Sequence, residues 1–257
     1  KQDPSTMPEI VSEIRCSNCA APLNLKPGEL VSTCRYCGFT SVVGASTPFQ
    51  LEHSLILNNY NTAAITDVLH DWMGSGFMKP PDLAKNGKIL SLDLRYLPFW
   101  LIPMKATSTY EGILERISPP MSRKGTIENM YDWLVLGRRG TKFPTRDYKV
   151  PVTGKIPFDF TKIASQAMFL NSELSSTEAV QQARDEVDDH QQFLTKQVVD
   201  RILSFSTEFK IETPTYIHAP LWFGQYEYKG RTYNAVMDGS SGAVLRADVP
   251  PLEFRSI

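Results

Sequence analysis

The sequence holds four cysteines, Cys16, Cys19, Cys34 and Cys37, and they fall into two Cys-x-x-Cys pairs. A Cys-x-x-Cys turn points two thiolates at one ion, and two such turns close the tetrahedron of sulfurs that d¹⁰ Zn²⁺ accepts. Between the pairs lie Leu23 and Leu25, then Lys26-Pro27-Gly28-Glu29, then Leu30 and Val31. That order reads as strand, turn, strand. Residues 13–44 are therefore expected to form a zinc ribbon around one structural Zn²⁺ ion, with the four cysteines as ligands. Gly38 follows the second pair, where a residue without Cβ tolerates the turn; Ala20 holds the equivalent place after the first and fits it less well. Two disulfides are the alternative, but a chain of 257 residues with no further cysteine is not a small disulfide scaffold. A redox role would need one pair to differ from the other, and nothing marks such a difference. With sulfur in all four positions, no coordination site is left for water, so the ion is expected to be structural rather than catalytic.

A net charge of −1 lacks the overall basic bias of a nucleic-acid binder. Thiolate zinc without spare cysteines fits a reducing, cytoplasmic setting. The polar lead-in, residues 1–12, has no apolar signal core. No run of about 18 apolar residues exists to span a membrane as a helix, which leaves only peripheral membrane association open.

Beyond the ribbon, residues 45–59 read as a linker, opening on Ala45-Ser46-Thr47-Pro48. The body, 60–257, is expected to be α+β. Asn61 or Thr62 caps a helix whose face is Ile65, Val68, Leu69, Trp72 and Met73, ended by Gly74 and Gly76. Strands are expected at 90–102, 107–115 and 127–136, with Ser118-Pro119-Pro120 and Arg123-Lys124-Gly125 in an exposed loop. A long helix is expected over 177–205, capped by Ser175 or Ser176, with Val180, Ala183, Val187, Leu194, Val198, Ile202 and Phe205 as its buried stripe. At 1.5 Å per residue it would reach roughly 43 Å. Strands follow at 208–212 and 216–228, a Lys229-Gly230 hairpin turn, a return strand at 231–237, and a last strand at 243–246.

Pro98-Phe99-Trp100-Leu101 and Pro220-Leu221-Trp222-Phe223 match in kind, each after an amphipathic helix and before a Tyr-charged-Gly triplet, Tyr110-Glu111-Gly112 and Tyr228-Lys229-Gly230. The body is thus read as two related helix-plus-antiparallel-hairpin units, about 60–150 and 175–250. The two tryptophans are expected in the core.

With the ribbon, Tyr96-Leu97-Pro98-Phe99-Trp100, Ala219-Pro220-Leu221-Trp222 and Asp238-Gly239-Ser240-Ser241-Gly242 resemble a prokaryotic family of zinc-ribbon proteins of poorly known function. The resemblance runs from about residue 14 to 250. Some members are labelled as primosomal helicase-like. That label fails here, because no Gly-x-x-x-x-Gly-Lys-Ser/Thr loop is present to cradle phosphates. The resemblance implies an accessory or adaptor protein, one that serves membrane-associated assemblies.

The histidines, His53, His70, His190 and His218, are scattered, and no Gly-x-Ser-x-Gly elbow occurs. Asp185, Glu186, Asp188 and Asp189 read as a solvated helix face. No catalytic constellation emerges, so the chain is expected not to be an enzyme. From Arg116 to Lys149, eight basic residues stand against three acidic ones. Arg123, Lys124, Arg138, Arg139, Lys142, Arg146 and Lys149 are the candidates for a phosphate or acidic-surface contact. The expected function is a zinc-binding adaptor or scaffold with a protein partner. A nucleic-acid- or ribosome-associated factor is the first alternative, and an enzyme of unrecognised type the second.

Overall fold

The computed structural model describes residues 14–44 and 51–252. The lead-in and the start of the expected linker lie outside the described residues. Two short strands, β1 (Val31–Thr33) and β2 (Thr40–Val42), pair antiparallel as the ribbon hairpin. Next come β3 (His53–Leu55), α1 (Thr62–Gly74), the single turn α2 (Leu83–Asn86), β4 (Lys88–Leu114) and β5 (Met121–Leu136). They are followed by β6 (Ile156–Pro157), β7 (Met168–Phe169), α3 (Ser176–Thr195), β8 (Arg201–Ile211), β9 (Thr215–Tyr228), β10 (Arg231–Asp238) and β11 (Val244–Ala247). The chain is α+β and mostly sheet.

Two long strands carry the body. β4 is continuous over 27 residues where the sequence predicts two strands. It runs antiparallel to β9 along Lys88–Leu101 and then to β8 along Met104–Ile113. β8 and β9 lie end to end on that edge, interrupted only at Glu212-Thr213-Pro214, where proline removes a ladder donor. β5 pairs with the other edge of β4 from Phe99↔Leu136 to Leu114↔Met121, so Arg123-Lys124-Gly125 belongs to a strand and not to the expected loop. On the far side of β9, β10 and then β11 extend the sheet, while β3 joins it in parallel. The segment expected as linker, 45–59, therefore contributes a strand to the main sheet.

Strand alternation divides the core into two faces. The even-numbered Leu94, Tyr96, Trp100, Ile102, Met104 and Ala106 of β4 face the helices. The odd-numbered Leu97 and Phe99 join Leu134, Leu136, Ile217 and Leu221 on the opposite face. Leu90 starts out of step: the register shifts between Ile89 and Ser91, and Leu90 is turned 46% exposed. α1 lays Ile65, Leu69 and Met73 over Leu94, Tyr96, Trp222 and Tyr226. Its N-cap is Asn61, whose side chain accepts from Ala64 N at 2.8 Å.

α3 ends at Thr195, ten residues before the predicted end, and measures about 30 Å. Its buried stripe is Ala179, Ala183, Val187, Gln191 and Thr195. The small alanines bring its axis close to Trp100 and Val135. Beyond it, Val198 and Val199 are β-branched and stiff in a helix. Asp200 draws the chain to the sheet instead: its carboxylate accepts from Glu115 N at 2.7 Å and Arg116 N at 3.0 Å. Phe205, Phe209 and Ile211 then alternate as strand residues.

The two Tyr-charged-Gly triplets take different structures. Lys229 (φ +48°) and Gly230 (φ +75°) make the β9–β10 turn, with both central residues left-handed. Glu111-Gly112 lies inside β4, where a Cβ on Gly112 would meet Val199 Cγ2 at 2.6 Å.

Candidate metal centre and its seat on the sheet

The ribbon brings all four cysteine sulfurs within 4.8 Å of one another. Cys16 Sγ lies 3.6 Å from Cys37 Sγ, and Cys19 Sγ 3.7 Å from Cys34 Sγ. Ligands about 2.3 Å from a tetrahedral zinc would stand about 3.8 Å apart, so the donor set matches such an ion in number, chemistry and spacing. Among the described residues this is the one cluster of three or more metal-ligating side chains.

Backbone turns set the geometry. Ala20 N donates to Cys16 O at 2.9 Å, and Gly38 N to Cys34 O at 2.9 Å. Both residues are left-handed, at φ +59° for Ala20 and +73° for Gly38, so alanine sits where glycine is at ease. Around Cys37, desolvation works against the thiolate, but the Asn18 side chain, the Phe39 N–H and the Cys19 and Cys16 thiols outweigh it and bring the thiol down to about 6. At Cys19, the Ala21 N–H favours the thiolate, but desolvation and the thiols of Cys37, Cys34 and Cys16 hold it up at about 12. Cys37 thus ionises before Cys19, which keeps its proton until a cation arrives.

The ribbon is seated on the body rather than displayed away from it. Val31 is fully buried in the cluster that α3 forms over Trp100 and Tyr216. Leu30 N and Val31 N both donate to Ser172 O, at 2.7 and 3.2 Å. Glu29, 6% exposed, accepts from Lys26 N at 2.9 Å, Asn171 N at 3.1 Å, Asn171 Nδ2 at 3.1 Å and Arg138 Nη1 at 3.0 Å. Arg138 also reaches Asn171 O at 3.0 Å, and its Nε lies 3.0 Å from Glu173 Oε1. The guanidinium thus bridges a ribbon carboxylate and a body carboxylate.

A second seam joins ribbon and sheet through two histidines, His53 on β3 and His218 on β9. His218 Nε2 lies 2.6 Å from Leu170 O, a group that can only accept, so this nitrogen carries the proton. His218 Nδ1 must then accept from His53 Nε2–H, 2.5 Å away. His53 Nδ1 accepts in turn from the Thr40 hydroxyl of β2 at 3.1 Å, and Thr33 of β1 lies 3.0 Å from Thr40. His53 stacks on Phe158, and His218 on Phe169. Burial holds both rings neutral, with His218 down at about 3 and His53 well below its usual value, the latter also opposed by any charge on His218. Parallel pairing of β3 with β9 creates this contact across 165 residues, and spacing along the chain carries no sign of it.

The basic residues singled out from sequence do not converge. Arg123 and Lys124 stand near the start of β5 and Arg138 just past its end, roughly 50 Å apart at strand rise. Lys124 faces Glu111 at 3.8 Å, and Arg139 pairs with Glu178 at 2.9 Å. Arg146 lies 4.0 Å over the Trp133 ring, bonded to Leu134 O and 3.8 Å from Glu186. Arg138, Arg139 and Arg146 do share one cavity of about 730 Å³, but Glu186 and Asp189 line it as well. Lys142 and Lys149 are exposed. Both tryptophans of the matched segments are buried and hydrogen-bonded, Trp100 Nε1 to Ser172 Oγ at 3.2 Å and Trp222 Nε1 to Asn58 Oδ1 at 3.1 Å. No helix among the described residues is long and apolar enough to cross a membrane. Compared with protein-family models, with curated proteins and with solved structures, the chain gives no match.

Proposed function

We propose that this chain is a non-enzymatic zinc-ribbon adaptor that binds another macromolecule, a protein in the first instance, in the cytoplasm. The observation that carries the reading is the closed donor set: four sulfurs within bonding range of one ion leave no position for a substrate or an activated water. An ion held in that way supplies folding energy, not chemistry. The charge of the chain's basic segment supports a protein partner over nucleic acid, since Lys124, Arg138, Arg139 and Arg146 already face carboxylates.

The reading extends to the body as two related units and to the prokaryotic zinc-ribbon family its motifs resemble. Support comes from the register: Leu97 and Ala219 are partners across β4 and β9, and each stands three residues before its tryptophan, Trp100 or Trp222. An approximate two-fold axis through that pair exchanges the two Pro-x-Trp segments.

The test is capture of the zinc-loaded protein and of a Cys34→Ser variant from the source cells, each with and without nuclease. Stoichiometric proteins that survive nuclease and vanish with Cys34→Ser are the expected result. Capture that nuclease abolishes would replace the adaptor with a nucleic-acid-associated factor, and capture equal for both forms would remove the ribbon from the function.

A further inference from the structure

On the sheet face opposite α1, strands β4, β9, β10 and β11 floor a cavity of about 520 Å³. Arg95 lies in it, with its guanidinium carbon 4.4 Å from the centre of the Phe223 ring. Stacking on an aromatic face fixes the plane of the fork while leaving its N–H edge unused. That edge is unmet: Arg95 Nε is buried without an acceptor, and no carboxylate among the described residues lies within ion-pair distance of the side chain. A charged group that is half-buried without a counter-ion is costly, and an anion beside it offsets that cost.

The surroundings narrow the ligand. Lys142 and Arg246 line the same cavity and add positive charge; Asp93 and Asp248 line it as well. Asp248 is occupied, accepting from Asn234 N at 3.0 Å, and Arg246 leans toward Asp147 at 3.5 Å. Asp93 sits two residues from Arg95 on the same strand face and makes no pair with it. With Arg246 turned to Asp147 and Asp248 to a backbone N–H, Arg95 and Lys142 against Asp93 are the charges left facing the cavity, which leaves room for one negative charge and repels a second. A planar monoanion matches both this balance and the two parallel donors of a guanidinium edge.

We propose that this cavity is a binding site for a small carboxylate, whose two oxygens take the Nη1–Nη2 edge of Arg95 with Lys142 as the second cation. The site is separate from the zinc ribbon and does not depend on the adaptor reading.

Titration of the zinc-loaded protein with sodium acetate, at constant ionic strength set with sodium chloride, tests it. The reporters are the Arg95 Nε–Hε resonance and the Gln225 and Asn234 side-chain amides that share the cavity. A saturable shift of all three is expected. Arg95→Lys, which keeps the charge and loses the fork, should weaken it at least tenfold as read by the two amides. Lys142→Ala, an exposed change that leaves the fold alone, should weaken it about threefold. A response no larger than that to chloride, or one unchanged in Arg95→Lys, would overturn the proposal. Tighter binding of inorganic phosphate than of acetate would overturn the assignment to carboxylates.

Discussion

At the scale of single residues, two features carry consequences that can be measured. Ala20 and Gly38 do the same work after their cysteine pairs, yet only one of them is glycine. A left-handed alanine costs about 1 kcal/mol or more, part of which glycine returns as unfolded-state entropy. Ala20→Gly is therefore expected to stabilise the ribbon by about 0.5 kcal/mol and to slow zinc loss to a chelator; faster loss would mean the Ala20 Cβ makes a contact that matters more than its backbone. The histidine pair has a signed dependence on pH. Both folded-state values lie below the unfolded value near 6.5, so the unfolded chain takes up protons that the folded one refuses. Stability is complete above about pH 6.5 and falls as pH drops below it, in the case of His218 down to about 3, by up to ~1.4 kcal/mol per pH unit for each ring. His218→Gln keeps an acceptor for His53 and a donor for Leu170 O but cannot titrate. Urea midpoints of this variant between pH 7 and 4 should fall less steeply than those of the parent; parallel curves would remove the pair from the acid response. Neither feature is equally visible in the sequence. The Ala20 misfit follows from spacing alone, whereas the His53–His218 contact needs the parallel pairing of β3 with β9, a long-range event with no local signature.

At the scale of elements, legibility followed period and length. α1 could be read to its cap because Asn61 and a five-member apolar stripe agree. The β9–β10 hairpin could be read because Lys229-Gly230 is a turn dipeptide between alternating strands. The end of α3 could not, because Val187, Leu194, Val198, Ile202 and Phe205 keep helical spacing across a point where the chain becomes a strand. The deciding residue is Asp200, whose partners Glu115 N and Arg116 N lie at the end of β4, distant in sequence. The buried Gln191 was equally hidden. It reads as a polar helix position, but its amide is consumed by Asn129 at 2.9 Å, Tyr131 at 2.6 Å, Ser108 at 3.1 Å and Ile127 O at 3.1 Å. Gln191→Leu would leave those buried groups unpaired and should cost about 2–4 kcal/mol in a denaturant melt, with the helix otherwise intact by circular dichroism. A cost below 1 kcal/mol would mean that water replaces the amide.

At the scale of the whole molecule, the question is whether metal in the ribbon is felt by the sheet. A ribbon held apart on its linker would lose its own fold when zinc is removed and leave the body's melting unchanged. Here the ribbon hairpin is tied to the body by side chains at three points, besides its backbone bonds to Ser172 O: Val31 in the cluster under α3, Glu29 against Arg138, and Thr40 against His53. Loss of the ion frees the four thiols and with them the hairpin that positions all three. Val31 would then leave its place against Trp100, forfeiting about 1.5–3 kcal/mol of apolar burial, and Arg138 would keep only its body partners, Glu173 and Asn171 O. For a chain of this size each kcal/mol moves the melting temperature by about 2–4 °C. Chelation should therefore lower the melting of the body, followed by near-ultraviolet circular dichroism of its tryptophans, by about 5–10 °C, and zinc should restore it. Arg138→Met separates the routes. It should cost the zinc-loaded protein about 3–5 kcal/mol by leaving Glu29 buried without its counter-charge, on the N–H donors of Lys26 and Asn171 alone, and should shrink the further drop on chelation, because one of the three ties is already cut. A body that melts at the same temperature with and without zinc would mean that the ribbon is an independent appendage, whatever it touches.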